Sequence, residues 1–158
     1  MELQSPDRVW SRIAEAQEIG PRGVVASDGD GTLWSGDVGE DLFHAFIERG
    51  RVCEPGLSAL RREARDHGLS DAGTGTDVAQ RINEAYEKGQ FPEERVFEIM
   101  AWCFAGWTRG EVAAFARETV ERRGVRGRLH HEVLAVLERA RQAGLEVVLV
   151  SASPLAES

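Results

Sequence analysis

Two short apolar runs, with a series of helical stripes between them, set the hydrophobic pattern of this chain. Val24-Val25-Ala26 and Leu145 to Val150 are near-continuous apolar segments of strand length, the pattern of strands buried in a parallel sheet. Between them, apolar residues recur at helical spacing. Leu42, Phe43, Phe46 and Ile47 form one stripe, closed by Gly50. Leu57, Leu60 and Ala64 form a second, opened by Pro55 and closed by Gly68, and a glycine-threonine loop from Asp71 to Asp77 follows. Val78, Ile82 and Ala85 mark a helix to Lys88, closed by Gly89. Pro92 opens the most apolar helix, with Val96, Ile99, Met100, Cys103 and Trp107 on one face. Thr108 with Glu111 three residues on is a capping box for the next stripe, Val112, Phe115, Ala116 and Thr119.

Outside this stretch, Ser5-Pro6-Asp7 reads as an N-cap, a first-turn proline and an acidic first-turn residue. The helix it starts carries Val9, Trp10 and Ile13 and ends near Gly20-Pro21, with Trp10 expected to pack rather than to bind. A last helix carries Leu129, Val133, Val136, Leu137 and Ala140 and ends at Gly144. Strand, helices, helix, strand describes two parallel strands joined by a crossover into which a helical domain is inserted. Residues 1–40 then hold the first helix, first strand and the loop after it. Residues 41–124 are the helical insertion, and 125–158 the last helix, second strand and start of a further helix. The stripes are expected to form one another's core, while Trp102 and Trp107 remain candidates for lining a substrate face.

Composition narrows the partners more than it narrows the fold. With 158 residues, 42% hydrophobic and 29% charged, the chain suits one domain or a core with an insertion. A net charge of −8 argues against a nucleic-acid backbone or an anionic membrane as the main partner, though a small phosphorylated substrate feels only its local site. Lys88 is the only lysine; the other basic residues are arginines. Cys53 and Cys103 have no metal-ligand spacing, so reduced buried thiols and a cytoplasmic location are expected. No apolar run is long enough to span a membrane. His130 and His131 are adjacent and point to different helix faces, which makes a shared metal improbable.

The chemistry concentrates directly after the first strand, in Ser27-Asp28-Gly29-Asp30-Gly31-Thr32-Leu33-Trp34. Side chains two apart on a strand point the same way, so Asp28 and Asp30 can enter one pocket at its carboxyl end, where open α/β sheets bind ligands. Gly29 and Gly31 let the backbone turn and bring its N–H groups near an anion. One carboxylate can serve as nucleophile or hard-metal ligand, and the other as general acid and then base. Asp-Gly alone would be ordinary turn chemistry. The four fixed positions of D-x-D-G-T, however, arise by chance in about one window per 10^5 at average composition, which decides for a site.

These residues resemble the first motif of the haloacid-dehalogenase-like superfamily, a hydrophobic strand followed by D-x-D-G-T-L. The second strand with its serine, L-E-V-V-L-V-S-A-S-P, resembles the second motif of the branch that includes phosphoserine phosphatase. A helical cap between the two motifs also belongs to that branch, so the resemblance spans residues 24–154. It implies an α/β fold, an incomplete Rossmann-like core of two recognisable parallel strands with a large inserted α-helical cap. It also implies a phosphomonoester hydrolase of the Mg²⁺-dependent kind, acting on a small phosphorylated metabolite through an aspartyl-phosphate. Asp28 would attack phosphorus, and Asp30 would protonate the leaving oxygen and then activate water. Ser151, helped by the backbone N–H of Ala152, would bind the phosphoryl oxygens. Asp28 and the Asp30 carbonyl would hold Mg²⁺. Asp37, nine residues after Asp28, would favour an amine-bearing substrate, with Trp34 adding apolar or cation–π contact.

The family's later motifs, a basic residue after the second strand and an acidic pair at the end of a further one, find no match in this chain. The resemblance therefore implies a truncated form with the nucleophile half, inactive by itself and a weak binder of Mg²⁺. Gly29 replaces the large apolar residue common between the two aspartates, which is expected to loosen the loop. Two strands with unpaired apolar edges are also expected to drive self-association. The alternative is a catalytically inactive remnant whose helical part serves as a binding module. A receiver-type aspartate switch does not fit, because its acidic pair and its phosphorylated aspartate come from different strands.

Overall fold

A computed structural model of the protein describes residues 4–17, 23–49 and 51–151. They form a mixed α/β chain, mostly helical, with two parallel strands and seven α-helices among the described residues. In chain order these are α1 (Pro6–Gln17), β1 (Val24–Asp28), α2 (Val38–Arg49), α3 (Glu54–Asp66) and α4 (Gly75–Glu87). Then come α5 (Glu93–Cys103), α6 (Arg109–Arg122), a 3₁₀ turn (Val125–Arg128), α7 (His131–Gln142) and β2 (Glu146–Val150). The chain divides into two compact units. One takes the described residues up to Val38 and again from Gly124; the other is Gly39–Arg123.

In the first unit Ser5 caps α1 as its sequence suggests, its hydroxyl accepting the Arg8 N–H at 3.3 Å. The Trp10 ring carries the Arg139 guanidinium at 4.8 Å, and Arg139 also pairs with Asp7 at 3.0 Å, so α1 is tied to α7. Gly144, at φ +80°, ends α7 and lets the Leu145 N–H reach back to the Ala140 carbonyl at 3.0 Å. The chain turns there into β2, which runs parallel to β1 with Val24 opposite Glu146 and Asp28 opposite Val150. The apolar strand sequence anticipates cover on both faces. Instead α7 packs against β2, while Val24, Leu149 and Val150 stay 58%, 51% and 57% exposed. The expectation that Leu129 opens the last helix also fails: His130 is the N-cap, and Leu129 pairs as an antiparallel bridge with Trp34.

The second unit is a helical bundle. Its core joins Phe43 and Phe46 of α2, Leu60 of α3, Val78 and Ile82 of α4, Val96, Ile99 and Cys103 of α5, and Phe115 of α6. Four rings, Phe46, Phe104, Trp107 and Phe115, meet mostly edge to face at centroid distances of 5.4–6.4 Å. Trp107 therefore belongs to the core and not to a substrate face, and its indole N–H donates to the Arg51 carbonyl at 3.2 Å. It lies beyond the end of α5 and not on its stripe. Trp102 remains exposed. The Thr108–Glu111 capping box forms as expected. A second box, Thr74 with Asp77, starts α4 at Gly75, three residues before the first apolar position. A buried Gly56 brings α3 against α5, since a Cβ there would lie 2.5 Å from the Trp102 carbonyl oxygen.

Candidate active site

The register of the strand pair sets the site. Asp28 ends β1 opposite Val150, so the loop from Gly29 and the residue Ser151 leave adjacent strands at the same carboxyl end. The loop then closes on itself. The Gly29 carbonyl accepts the N–H groups of Thr32, Leu33 and Trp34 at 3.2, 2.8 and 3.2 Å. Gly31 and Gly36 take φ of +70° and +81°, and the Gly31 N–H meets the Gly36 carbonyl at 3.2 Å. Residues 128–130 clasp the loop from the other side. Arg128 accepts the Ser35 N–H at 3.0 Å on its carbonyl, and the His130 N–H donates to the Leu33 carbonyl at 2.9 Å. The His130 Nδ1 lies 2.8 Å from the Thr32 carbonyl, which requires the hydrogen on that nitrogen.

Within this frame the two aspartates have different surroundings. Asp28 is exposed: its Oδ1 accepts the Gly29 N–H at 2.8 Å and its Oδ2 the Thr32 hydroxyl at 3.3 Å. Asp30 is half-buried. Its Oδ1 accepts two N–H donors, the Trp34 indole and the Val38 main chain, each at 2.8 Å. Its Oδ2 faces the Ser151 hydroxyl across 3.5 Å. The structure thus brings Asp30, Trp34 and Ser151 together, and Asp37 directly precedes Val38. Ala152 lies outside the described residues.

One sequence expectation is corrected here. Trp34 turns its N–H to Asp30 and lays its ring over Gly29, where a Cβ would come within 2.7 Å of Cζ2. Gly29 therefore does not loosen the loop; it is the seat of the indole. Sequence reasoning missed His130, Leu129 and Arg128 as supports, because their partners lie about a hundred residues away and no local pattern announces them. An apolar groove of about 750 Å³ runs along β1 between Val9 and Ile13 of α1 and Val133 and Leu137 of α7, and reaches Asp28 and Thr32.

Parallel strands that end in a carboxylate loop and a serine make this an α/β protein with acidic and hydroxyl groups gathered at one end of its strand pair. The chain belongs to the haloacid dehalogenase-like hydrolases, whose family model matches residues 25–156. No curated protein and no solved structure matches it. Among the described residues no helix is long and apolar enough to cross a membrane.

Proposed function

We propose that these residues carry the nucleophile and the acid/base of a phosphomonoester hydrolase that works through an aspartyl-phosphate. The supporting observation is the unequal setting of the two aspartates. Asp28 is exposed at the strand end, as a nucleophile must be to meet phosphorus. Asp30 is half-buried and held by two donors, as suits a group that moves a proton in a fixed direction. Asp28 attacks the phosphorus of a small phosphorylated metabolite while Asp30 gives its proton to the departing oxygen. Asp30, now a carboxylate, takes a proton from the water that hydrolyses the aspartyl-phosphate. Ser151 binds a phosphoryl oxygen, and the Ala152 N–H is assigned the same task.

Mg²⁺ is the cofactor of this reading. The Asp28 carboxylate and the Asp30 main-chain carbonyl are hard oxygen donors of the type it prefers. Among the described residues no group of three or more His, Cys, Asp or Glu side chains converges. When bound it would neutralise the phosphate charge that faces Asp28. For the substrate we infer an amine-bearing phosphomonoester that meets Asp37. A panel in which Asp37→Ala leaves relative kcat/KM unchanged removes that finer point.

The test is acid-quench trapping of a phosphoenzyme at high protein concentration, which registers slow chemistry as well as fast. A hydroxylamine-labile phosphoryl group is expected on the wild-type chain and is absent from Asp28→Asn. Equal labelling of both proteins overturns the assignment, and no labelling with any phosphomonoester leaves the helical interaction module as the better reading.

A further inference from the structure

The indole of Trp34 is the feature of this site that the reaction does not yet use. We propose that Trp34 is a positioning residue for Asp30: with the Val38 N–H it fixes Oδ1, leaves Oδ2 on the Ser151 side as the oxygen that exchanges the proton, and makes glycine at position 29 a requirement of the site. The proposal rests on the reading of Asp30 as acid/base.

Three observations carry it. First, both donors sit 2.8 Å from one and the same oxygen. An indole N–H and a main-chain N–H can only donate, and a carboxyl oxygen has two lone pairs in the plane that hydrogen bonds prefer. With both engaged, a proton on Oδ1 would point into a donor. The proton of the neutral acid therefore belongs on Oδ2, whose neighbour is the Ser151 hydroxyl at 3.5 Å. Ser151 lies just past the end of β2, so this oxygen looks toward the place assigned to the phosphoryl group.

Second, the indole is itself held. The turn around the Gly29 carbonyl brings Trp34 back over the loop, and the bridge to Leu129 fixes its main chain. Third, the ring occupies the space of a side chain at position 29. A Cβ there would lie 2.7 Å from Cζ2 and 2.8 Å from Cη2, closer than packed atoms allow. Gly29 and Trp34 thus act as one unit, and a change at either moves the carboxyl group of Asp30.

The proton inventory follows. In the first step the Oδ2–H bond breaks and its proton goes to the leaving oxygen. That oxygen keeps the electron pair of the broken P–O bond while Asp28 forms the new one. In the second step water gives a proton to Oδ2 and its oxygen to phosphorus. Phosphate is released, Asp28 returns to a carboxylate and Asp30 to the neutral acid. Throughout, Oδ1 stays on its two donors and the group need not rotate.

The test joins a spectroscopic signature to kinetics on the whole chain. In ¹H–¹⁵N spectra the Trp34 indole resonance is assigned by its loss in Trp34→Phe. It is expected to be deshielded and slow to exchange with solvent, and to lose both properties in Asp30→Ala. Trp34→Phe keeps an aromatic ring and removes the donor. Phosphoenzyme formation and breakdown are both expected to slow, roughly tenfold to a hundredfold, with KM little changed. Gly29→Ala should displace the indole resonance and cause a similar loss, and the double variant should be no slower than the worse single one. An indole resonance indifferent to Asp30→Ala, wild-type rates in Trp34→Phe, or losses that add in the double variant each overturn the proposal. If wild-type rates persist in Trp34→Phe, the hydrolase reading stands without it. If the resonance behaves as expected but the wild-type chain takes no phosphoryl group, the hydrolase reading falls and takes the positioning role with it.

Discussion

The side chains of Asp30 and Ser151 stand 121 positions apart in the sequence, and their oxygens face each other across 3.5 Å. The pairing of β1 with β2 is what produces this meeting, because Asp28 and Val150 are opposite in register. Each residue leaves its strand within two positions of that pair.

Replacement of Ser151 by alanine tests what that meeting contributes. The expected result is phosphoenzyme formation slowed about tenfold or more, with weaker inhibition by inorganic phosphate. Circular dichroism should be unchanged, since Ser151 is exposed. Wild-type labelling rates in Ser151→Ala would remove it from the phosphate site.

Acid should weaken the helical unit through Glu111. Its carboxyl is held down from 4.5 to about 2, first by the Thr108 main-chain N–H, then by the Thr108 hydroxyl and Arg51. A depressed folded value means a contribution fully present above pH 4.5 and lost as the pH falls through about 2. Urea titrations of wild type and Glu111→Gln should differ most above pH 5 and converge toward pH 2. A difference that does not shrink with acid would show that the capping box holds without its charge.

Two glycines in helices should respond in opposite directions to alanine. At Gly56 the new Cβ meets the Trp102 carbonyl oxygen at 2.5 Å, a main-chain atom that cannot swing aside. Gly56→Ala is expected to cost about 1–3 kcal/mol by forcing α3 from α5. Gly110, in the first turn of α6, has nothing within 4 Å, and Gly110→Ala should stabilise by about 0.5 kcal/mol through the lower freedom of the unfolded chain. Denaturation midpoints of the two variants decide both.

Self-association is the expected solution behaviour of this chain. Val24, Val148, Leu149 and Val150 are exposed on the strands, and a second copy pairing along them would cover apolar surface. Sedimentation velocity should show a concentration-dependent increase in size, reduced by Leu149→Lys. A monodisperse monomer with strongly protected amides at Val25 and Val148 would contradict this.

What was legible in the sequence was what depends on neighbours. The apolar runs placed both strands, helical spacing placed the core of the bundle, and T-x-x-E placed the start of α6. The equivalent T-x-x-D before α4 went unread because the glycine-threonine stretch around it looked like loop chemistry. Trp107 kept the stripe's spacing after the helix had ended, so periodicity alone drew it into α5. Asp28 and Asp30 could be located from the motif, but the partners of Asp30 could not. Trp34 reaches it only because a tight turn folds the loop back, and Leu129 and His130 hold that loop from 95 residues or more away.

That long reach has a consequence for how the protein comes into being. Thr32 and His130 are 98 positions apart, so at a synthesis rate of about 5–20 residues per second the loop waits roughly 5–20 s for its clasp. The helical unit, whose residues lie between them, can condense in the meantime from contacts much closer in sequence. The carboxylate loop is then among the last parts to be assembled, and during that delay β1 emerges from the ribosome without its neighbour. A nascent chain stalled before Leu129 should carry packed helices beside an unformed site.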